Sequence, residues 1–143
     1  MVSEVLFSRK NDVWETPQYL FDELDAEFHF NLDPCALSEN AKCDNYFTPE
    51  QDGLSQDWSG YRVFCNPPYS QIAKWVEKCY REATKDNTLV VMLLNCRPST
   101  RYFHNFIYRR AEIRFIKGRL KFSNAGNNAP FDSMVVIFRG PYV

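Results

Sequence analysis

The chain has 143 residues, of which 45% are hydrophobic and 16% aromatic. That is enough for one domain with one real core, and it excludes a disordered chain. Net charge is −1, but residues 1–61 hold 3 Lys/Arg against 13 Asp/Glu while residues 62–143 hold 14 against 5. The longest apolar run, Leu89 to Leu94, is far short of the ~20 residues that span a bilayer. Glu4 precedes any basic residue and no apolar stretch follows it, so a secretory signal is not expected and a cytoplasmic setting is. The 5 cysteines (Cys35, Cys43, Cys65, Cys79, Cys96) form no Cys-x-x-Cys pair, and the histidines are His29 and His104 alone. Free thiols in the core are therefore expected, with no metal and no disulfide framework.

In chain order, Thr16-Pro17 opens a helical pattern, with Thr as N-cap and Pro at the first helical position. Tyr19, Leu20, Phe21, Leu24 and Phe28 then recur at near-helical spacing. Phe28 to Leu32 reads as a short strand ending at Asp33-Pro34. Residues 40–58 are turn-rich, with room for a short strand near Tyr46-Phe47. Tyr61 to Cys65 is a strand ending at Asn66-Pro67-Pro68-Tyr69. A helix follows over Ile72 to Thr84, with Ile72, Trp75, Val76, Cys79 and Tyr80 on one face. Leu89 to Leu94 is apolar on both faces, as a central strand of a parallel sheet is. A helix over Thr100 to Arg109 leads to two strands, Ile113 to Ile116 and Met134 to Phe138, which flank a loop rich in Asn, Gly and Pro (Ser123 to Pro130). The alternation predicts a single open, Rossmann-like α/β domain over residues 1–143, mostly parallel with an antiparallel edge strand. Ligands in such sheets bind outside the carboxyl ends of the strands, and both Asp33-Pro34 and Asn66-Pro67-Pro68-Tyr69 fall there.

Asn66-Pro67-Pro68-Tyr69 is the most informative stretch. Two consecutive prolines fix φ and forbid helix, so the chain leaves the strand as a rigid, extended loop. The Asn66 side-chain oxygen and the Pro67 carbonyl can both accept hydrogen bonds from one exocyclic amine, while Tyr69 stacks on the ring that bears it. An arylamine is a poor nucleophile because its lone pair is delocalised into the ring. Two acceptors out of the ring plane favour the pyramidal nitrogen, whose lone pair is free to attack. Downstream, Arg97 to Lys121 carries 8 basic residues and one acid, Glu112, interleaved with aromatics. Such a stripe suits a phosphate backbone, and equally a solvated face that balances the acidic half of the chain.

The motifs in order are Trp14-Glu15-Thr16-Pro17, Leu32-Asp33-Pro34-Cys35-Ala36, Asp52-Gly53-Leu54-Ser55, Cys65-Asn66-Pro67-Pro68-Tyr69, Arg97 to His104, Gly118-Arg119-Leu120-Lys121-Phe122 and Ala129-Pro130-Phe131. Over roughly Trp14 to Arg139 this order resembles the small phage and prophage DNA N6-adenine methyltransferases, the phage Dam-like family. The resemblance implies one S-adenosylmethionine-dependent methyltransferase domain, without a separate target-recognition domain, that acts on duplex DNA by direct methyl transfer. It implies that Asn66, Pro67, Pro68 and Tyr69 hold a flipped adenine. It also implies that Asp33 and Pro34 meet the cofactor and that Trp14, Thr16 and Pro17 pack over its methionine part. Asp52 is the candidate for its ribose or adenine, with Glu50 and Asp44 as rivals. Arg97, Arg101, Arg119 and Lys121 are the candidate DNA contacts. After the central strand the family usually reads Leu-Pro-x-Arg-Thr-Asp-Thr, where this chain reads Leu94-Asn95-Cys96-Arg97-Pro98-Ser99-Thr100. A silent DNA-binding module and an enzyme for a protein glutamine or cytosine N4 are the competing readings. The intact Asn66-Pro67-Pro68-Tyr69 weighs against the first of these, and the basic stripe against a protein substrate.

Overall fold

The computed structural model describes residues 13–143. The two ends of its sheet rim are built by short apolar strands: β1 (Arg62–Cys65), β2 (Leu89–Asn95), β3 (Glu112–Phe115) and β4 (Ser133–Arg139) stand in the order β1-β2-β4-β3. β1 pairs parallel with β2, whereas β4 runs antiparallel to both β2 and β3. Two isolated parallel bridges, Leu32 with Val63 and Asp33 with Tyr46, carry the sheet beyond β1.

The α/β, mostly parallel reading holds, with one change of position. The reversed strand is not at the edge but second from it, between β2 and β3. The burial of the two strands explains the exchange. Six of the seven β4 residues are buried, so β4 needs cover on both faces, while no β3 residue is buried and both its end residues are exposed. The strand with polar Glu112 and Arg114 takes the edge, where such side chains discourage further pairing.

Helices cover both faces. α1 (Gln18–Phe28) buries Leu20, Phe21, Leu24 and Phe28 against Phe64, Val91, Leu93 and Ile137. It starts later than its N-terminal signature suggests. Pro17 (φ −57°, ψ 135°) is the N-cap and contributes no side-chain cap, while its carbonyl accepts from Leu20 and Phe21 N–H at 3.1 and 3.2 Å. Thr16 is released for another task. His29 ends α1 in the left-handed region (φ 55°), and Asp25 ties both His29 and Phe30 N–H. The reversal uses up residues 29–31, which is why the expected strand over Phe28 to Leu32 shrinks to the bridge at Leu32 and its neighbour at Asp33.

α2 (Ile72–Glu82) buries Ile72, Trp75, Val76 and Cys79, at helical spacing, against the opposite face of β1, β2 and β4. Each such side chain contributes about 1.5–3 kcal/mol on burial, and truncating Trp75 to Ala costs about 3–5 kcal/mol. The helix expected over Thr100 to Arg109 widens into a π-helical turn, Phe103–Ile107, closed by the i→i−5 bond of Tyr108 N–H to the Phe103 carbonyl at 2.8 Å. Among the described residues no helix is long and apolar enough to cross a membrane, and no cluster of His, Cys, Asp or Glu is arranged to hold a metal ion.

Candidate active site

β1 ends at Cys65, and Asn66 is the first residue beyond the sheet. Pro68 (φ −64°, ψ 139°) continues extended into the short turn Tyr69–Gln71, which feeds α2. The loop is therefore clamped between a central strand and a buried helix. Residues 13–17 cross in front of it. The Asn66 Nδ2 group donates to the Trp14 carbonyl and, at 2.9 Å, to the Thr16 hydroxyl. The Trp14 carbonyl can only accept, so the amide nitrogen must lie on that side. Asn66 Oδ1 is thereby turned the other way, buried and without a partner among the described residues. A buried acceptor left open is rare in a native interior and marks a place where a donor arrives.

Aromatic rings gather beside it. Trp14 is stacked on Tyr69 at 6.0 Å between centroids and 27° between planes. Phe131 stands 5.3 Å from Trp14 and 5.4 Å from Tyr69, and Phe122 stands 5.4 Å from Trp14. Burial pushes the Tyr69 phenol well above its ordinary range, so the ring stays neutral at any physiological pH.

A cavity of about 430 Å³ opens against this group, lined among others by Trp14, Thr16, Asp33, Cys35, Phe64 and Asn66. Asp33 is only 6% exposed. Burial pushes its carboxyl up to about 6, opposed by backbone N–H donors from Lys42 and Cys35. Those two bonds, at 3.0 and 3.4 Å, loop residues 34–42 around the carboxylate. Cys35 donates its thiol to the Asn66 carbonyl at 3.2 Å and lies 3.7 Å from the Cys65 sulfur. Hydrogen bonding to Cys65, then burial, raises the Cys35 thiol well above its ordinary value, so it is a poor nucleophile and fits the packing role expected of it.

The sequence-predicted residues divide clearly. Trp14, Thr16, Asp33 and Asn66 share the cavity wall, with Pro17 and Pro34 buried beside their neighbours. Asp52 does not line it: the residue is exposed in a left-handed turn (φ 54°). Its neighbour carries the structural role, since a Cβ on Gly53 would lie 2.0 Å from the Pro34 carbonyl oxygen. Glu50 is exposed, and Asp44 lines a separate cavity of about 600 Å³ with Tyr46 and Tyr61. In their place the wall offers Gln18, Glu39, Asn40 and Lys42. Lys42 had a signal in the sequence, being the sole basic residue between Lys10 and Arg62.

The basic stripe also divides. Arg114 is held by both oxygens of Glu27, at 2.6 and 2.8 Å, and by Glu112, which also takes Arg139. These arginines balance acids within the fold. Arg97, Arg101 and Lys121 are exposed, and Arg119 has one loose contact, 3.6 Å from Asp132. The Asp132 carbonyl accepts from Cys96 N–H at 2.8 Å, so Arg97 and Arg119 flank one point at the end of β2. His104 accompanies them, its Nε2 2.7 Å from the Pro98 carbonyl.

The sequence profile of the DNA N-6-adenine-methyltransferase (Dam) family matches residues 4–140. The chain belongs to that family. Its reaction is methylation of adenine in DNA, as the order of motifs implied. A DNA N-6-adenine-methyltransferase of Haemophilus phage HP1 (strain HP1c1) is 36% identical over 143 aligned residues, covering 92% of this chain and 82% of the relative. One of Escherichia phage T1 is 31% identical over 118 residues, covering 81% of this chain and 49% of the relative. Family membership leaves the roles of single residues to the geometry described above.

Proposed function

We propose that this chain methylates the exocyclic N6 of an adenine turned out of duplex DNA, with S-adenosylmethionine as the donor. The observation that carries the reading is the Asn66 side chain, whose nitrogen is tied to Trp14 and Thr16 while its oxygen is buried and open. An acceptor fixed in this way costs no reorganisation when an amine arrives. The base amine donates one hydrogen to Asn66 Oδ1 and the other to the Pro67 carbonyl, which favours the pyramidal nitrogen. Tyr69 stacks on the purine. Turning the base out of the duplex costs a few kcal/mol, which the stacking and the two hydrogen bonds offset.

The cavity fits the donor. Its size is that of a small-molecule site, and its wall is mostly polar, with Trp14 and Phe64 as its aromatic members. Trp14, Thr16 and Pro17 close over the methionine part, Lys42 faces the carboxylate, and the acids Asp33 and Glu39 face the ammonium and hydroxyl groups. Asp52 stands outside this set. When bound, S-adenosylmethionine supplies an electrophilic methyl to the amine directly, without a covalent bond to the protein. The proton leaves to solvent afterwards, so no general base is required. Arg97, Arg101, Arg119 and Lys121 contact phosphates of the duplex.

The test is methyl transfer from radiolabelled S-adenosylmethionine to unmethylated plasmid DNA, followed by nucleoside mass spectrometry. N6-methyladenine is expected from the wild-type chain, and none from Asn66→Ala, whose cofactor affinity should stay within a few-fold of wild type. Simultaneous loss of transfer and cofactor binding in Asn66→Ala would reduce Asn66 to a support of the cavity. Absence of N6-methyladenine with the wild-type chain would sink the reading.

A further inference from the structure

Asn66 Oδ1 is not alone on this rim. Asn95 Oδ1 and Ser133 Oγ are also buried without partners among the described residues, and Ser133 is only 1% exposed. Asn95 is the last residue of β2 and Ser133 the first of β4, and the two stand directly opposite in the register. Side chains two apart along a strand share a face. Asn95 therefore points with Val91 and Leu93, and Ser133 with Val135 and Ile137, towards the α1 side of the sheet. That is the side on which Trp14 and Phe131 pack and on which Trp14 and Thr16 hold Asn66. Cys65 stands opposite Met92, and Asn95 lies three residues beyond Met92. Strand spacing of ~4.8 Å and a rise of ~3.3 Å per residue put Asn95 about 8 Å and Ser133 about 12 Å from Asn66 between Cα atoms, with Asn95 the middle residue of the three, within the span of a purine and its hydrogen bonds. Phe131, two residues before Ser133, already touches Tyr69.

Native interiors pair nearly all such atoms, so open oxygens on one rim call for an occupant with a complementary edge. Ser133 is the one hydroxyl of the three and so the one donor. The flanking carboxamide oxygens accept hydrogen and repel a keto oxygen. We propose that Asn95 and Ser133 form the second anchor of the base pocket: the Ser133 hydroxyl donates to a ring nitrogen across the ring from the amine held at Asn66, and Asn95, between them, disfavours a base that presents a carbonyl there. This rests on the adenine reading above and adds the residues that seat the ring rather than the amine.

The test measures methylation of duplexes with adenine, 3-deazaadenine or 7-deazaadenine at a site mapped on plasmid DNA, together with thermal midpoints. Ser133→Ala lowers kcat/KM on adenine roughly ten-fold, the worth of about one hydrogen bond. Its midpoint is unchanged or raised, because an unpaired buried hydroxyl has been removed. One of the two deaza bases lowers the wild-type rate by the same factor and lowers Ser133→Ala no further. Ser133→Cys, of similar size but with a weaker donor, is intermediate. Wild-type kinetics in Ser133→Ala overturn the proposal, and when joined to a lower midpoint they assign the pair to a buried water. Losses that multiply with both deaza bases overturn it too. If the wild-type chain makes no N6-methyladenine, the reading of function itself fails, and this proposal with it.

Discussion

The Thr16 hydroxyl accepts a hydrogen bond from the Asn66 side chain at 2.9 Å, across fifty residues of sequence. Thr16 is 2% exposed, and the residue that follows it is the N-cap of α1. The orientation of the reactive loop is thus set by a segment that packs on the far side of the cavity. Thr16→Val keeps the shape and removes the acceptor, leaving only the Trp14 carbonyl to orient the amide. We expect kcat to fall roughly ten-fold with KM for DNA nearly unchanged, and Thr16→Ser to restore most of the rate. Equal losses in the Val and Ser variants would assign Thr16 to packing alone.

Gly53 bears on the same site from outside it. A Cβ there would lie 2.0 Å from the Pro34 carbonyl oxygen and 3.0 Å from the Trp75 ring. Neither backbone nor core ring yields easily, so Gly53→Ala must shift the loop that follows Asp33. A loss of about 1–3 kcal/mol or more in unfolding free energy is expected from the overpacking. Titration with S-adenosylmethionine should show at least ten-fold weaker binding, whereas Asp52→Ala, one residue away, should bind nearly as wild type does.

Asp33 gives the fold a pH dependence of definite sign. Burial lifts its folded-state value to about 6 from an ordinary 3.8. The folded state therefore holds the proton more tightly than the unfolded chain. The resulting stabilisation is complete below about pH 3.8, is lost as pH rises through about 6, and is flat above that. In Asp33→Asn this component disappears. Urea unfolding at a series of pH values should show the wild-type-minus-variant difference falling by a few kcal/mol at most between about pH 4 and 6.5. A difference that instead rises over that window would contradict the burial argument.

The arginines separate in salt titrations. Arg97 and Arg101 are exposed and pair with no acid among the described residues, so replacing both with Ala should lower the slope of log affinity against log salt by roughly two. Arg114, engaged by Glu27 and Glu112, should leave that slope unchanged when replaced and lower the thermal midpoint instead. Equal slopes in all variants would place the DNA on another face.

Much of this was readable from residue types. Asn66-Pro67-Pro68-Tyr69 announced itself because two prolines permit few conformations, and the apolar run from Leu89 marked a strand covered on both faces. Other features depended on partners distant in sequence. Thr16 carries a good capping side chain, and nothing local says that Asn66 takes it. Asp52 was chosen as an acid near a strand end, yet its left-handed turn, needed to bring Gly53 against Pro34, points it away from the cavity. The place of β4 followed from a competition between two strands for cover, which neither sequence states alone. The pairing of Arg114 with Glu27 joins residues from opposite ends of the charge gradient, and only the folded chain brings them together.

The sheet order has a consequence for synthesis. β4 leaves the ribosome after β1, β2 and β3, and it lies between two strands made earlier. Until Ser133–Arg139 has emerged, β2 lacks one neighbour and β3 has none, so their apolar faces and open backbone edges wait together. The nascent chain therefore cannot assemble its reactive rim piecemeal. Asn66 and Asn95 are already present, but the floor on which they stand is finished only when β4 slots between its neighbours, in a single late insertion.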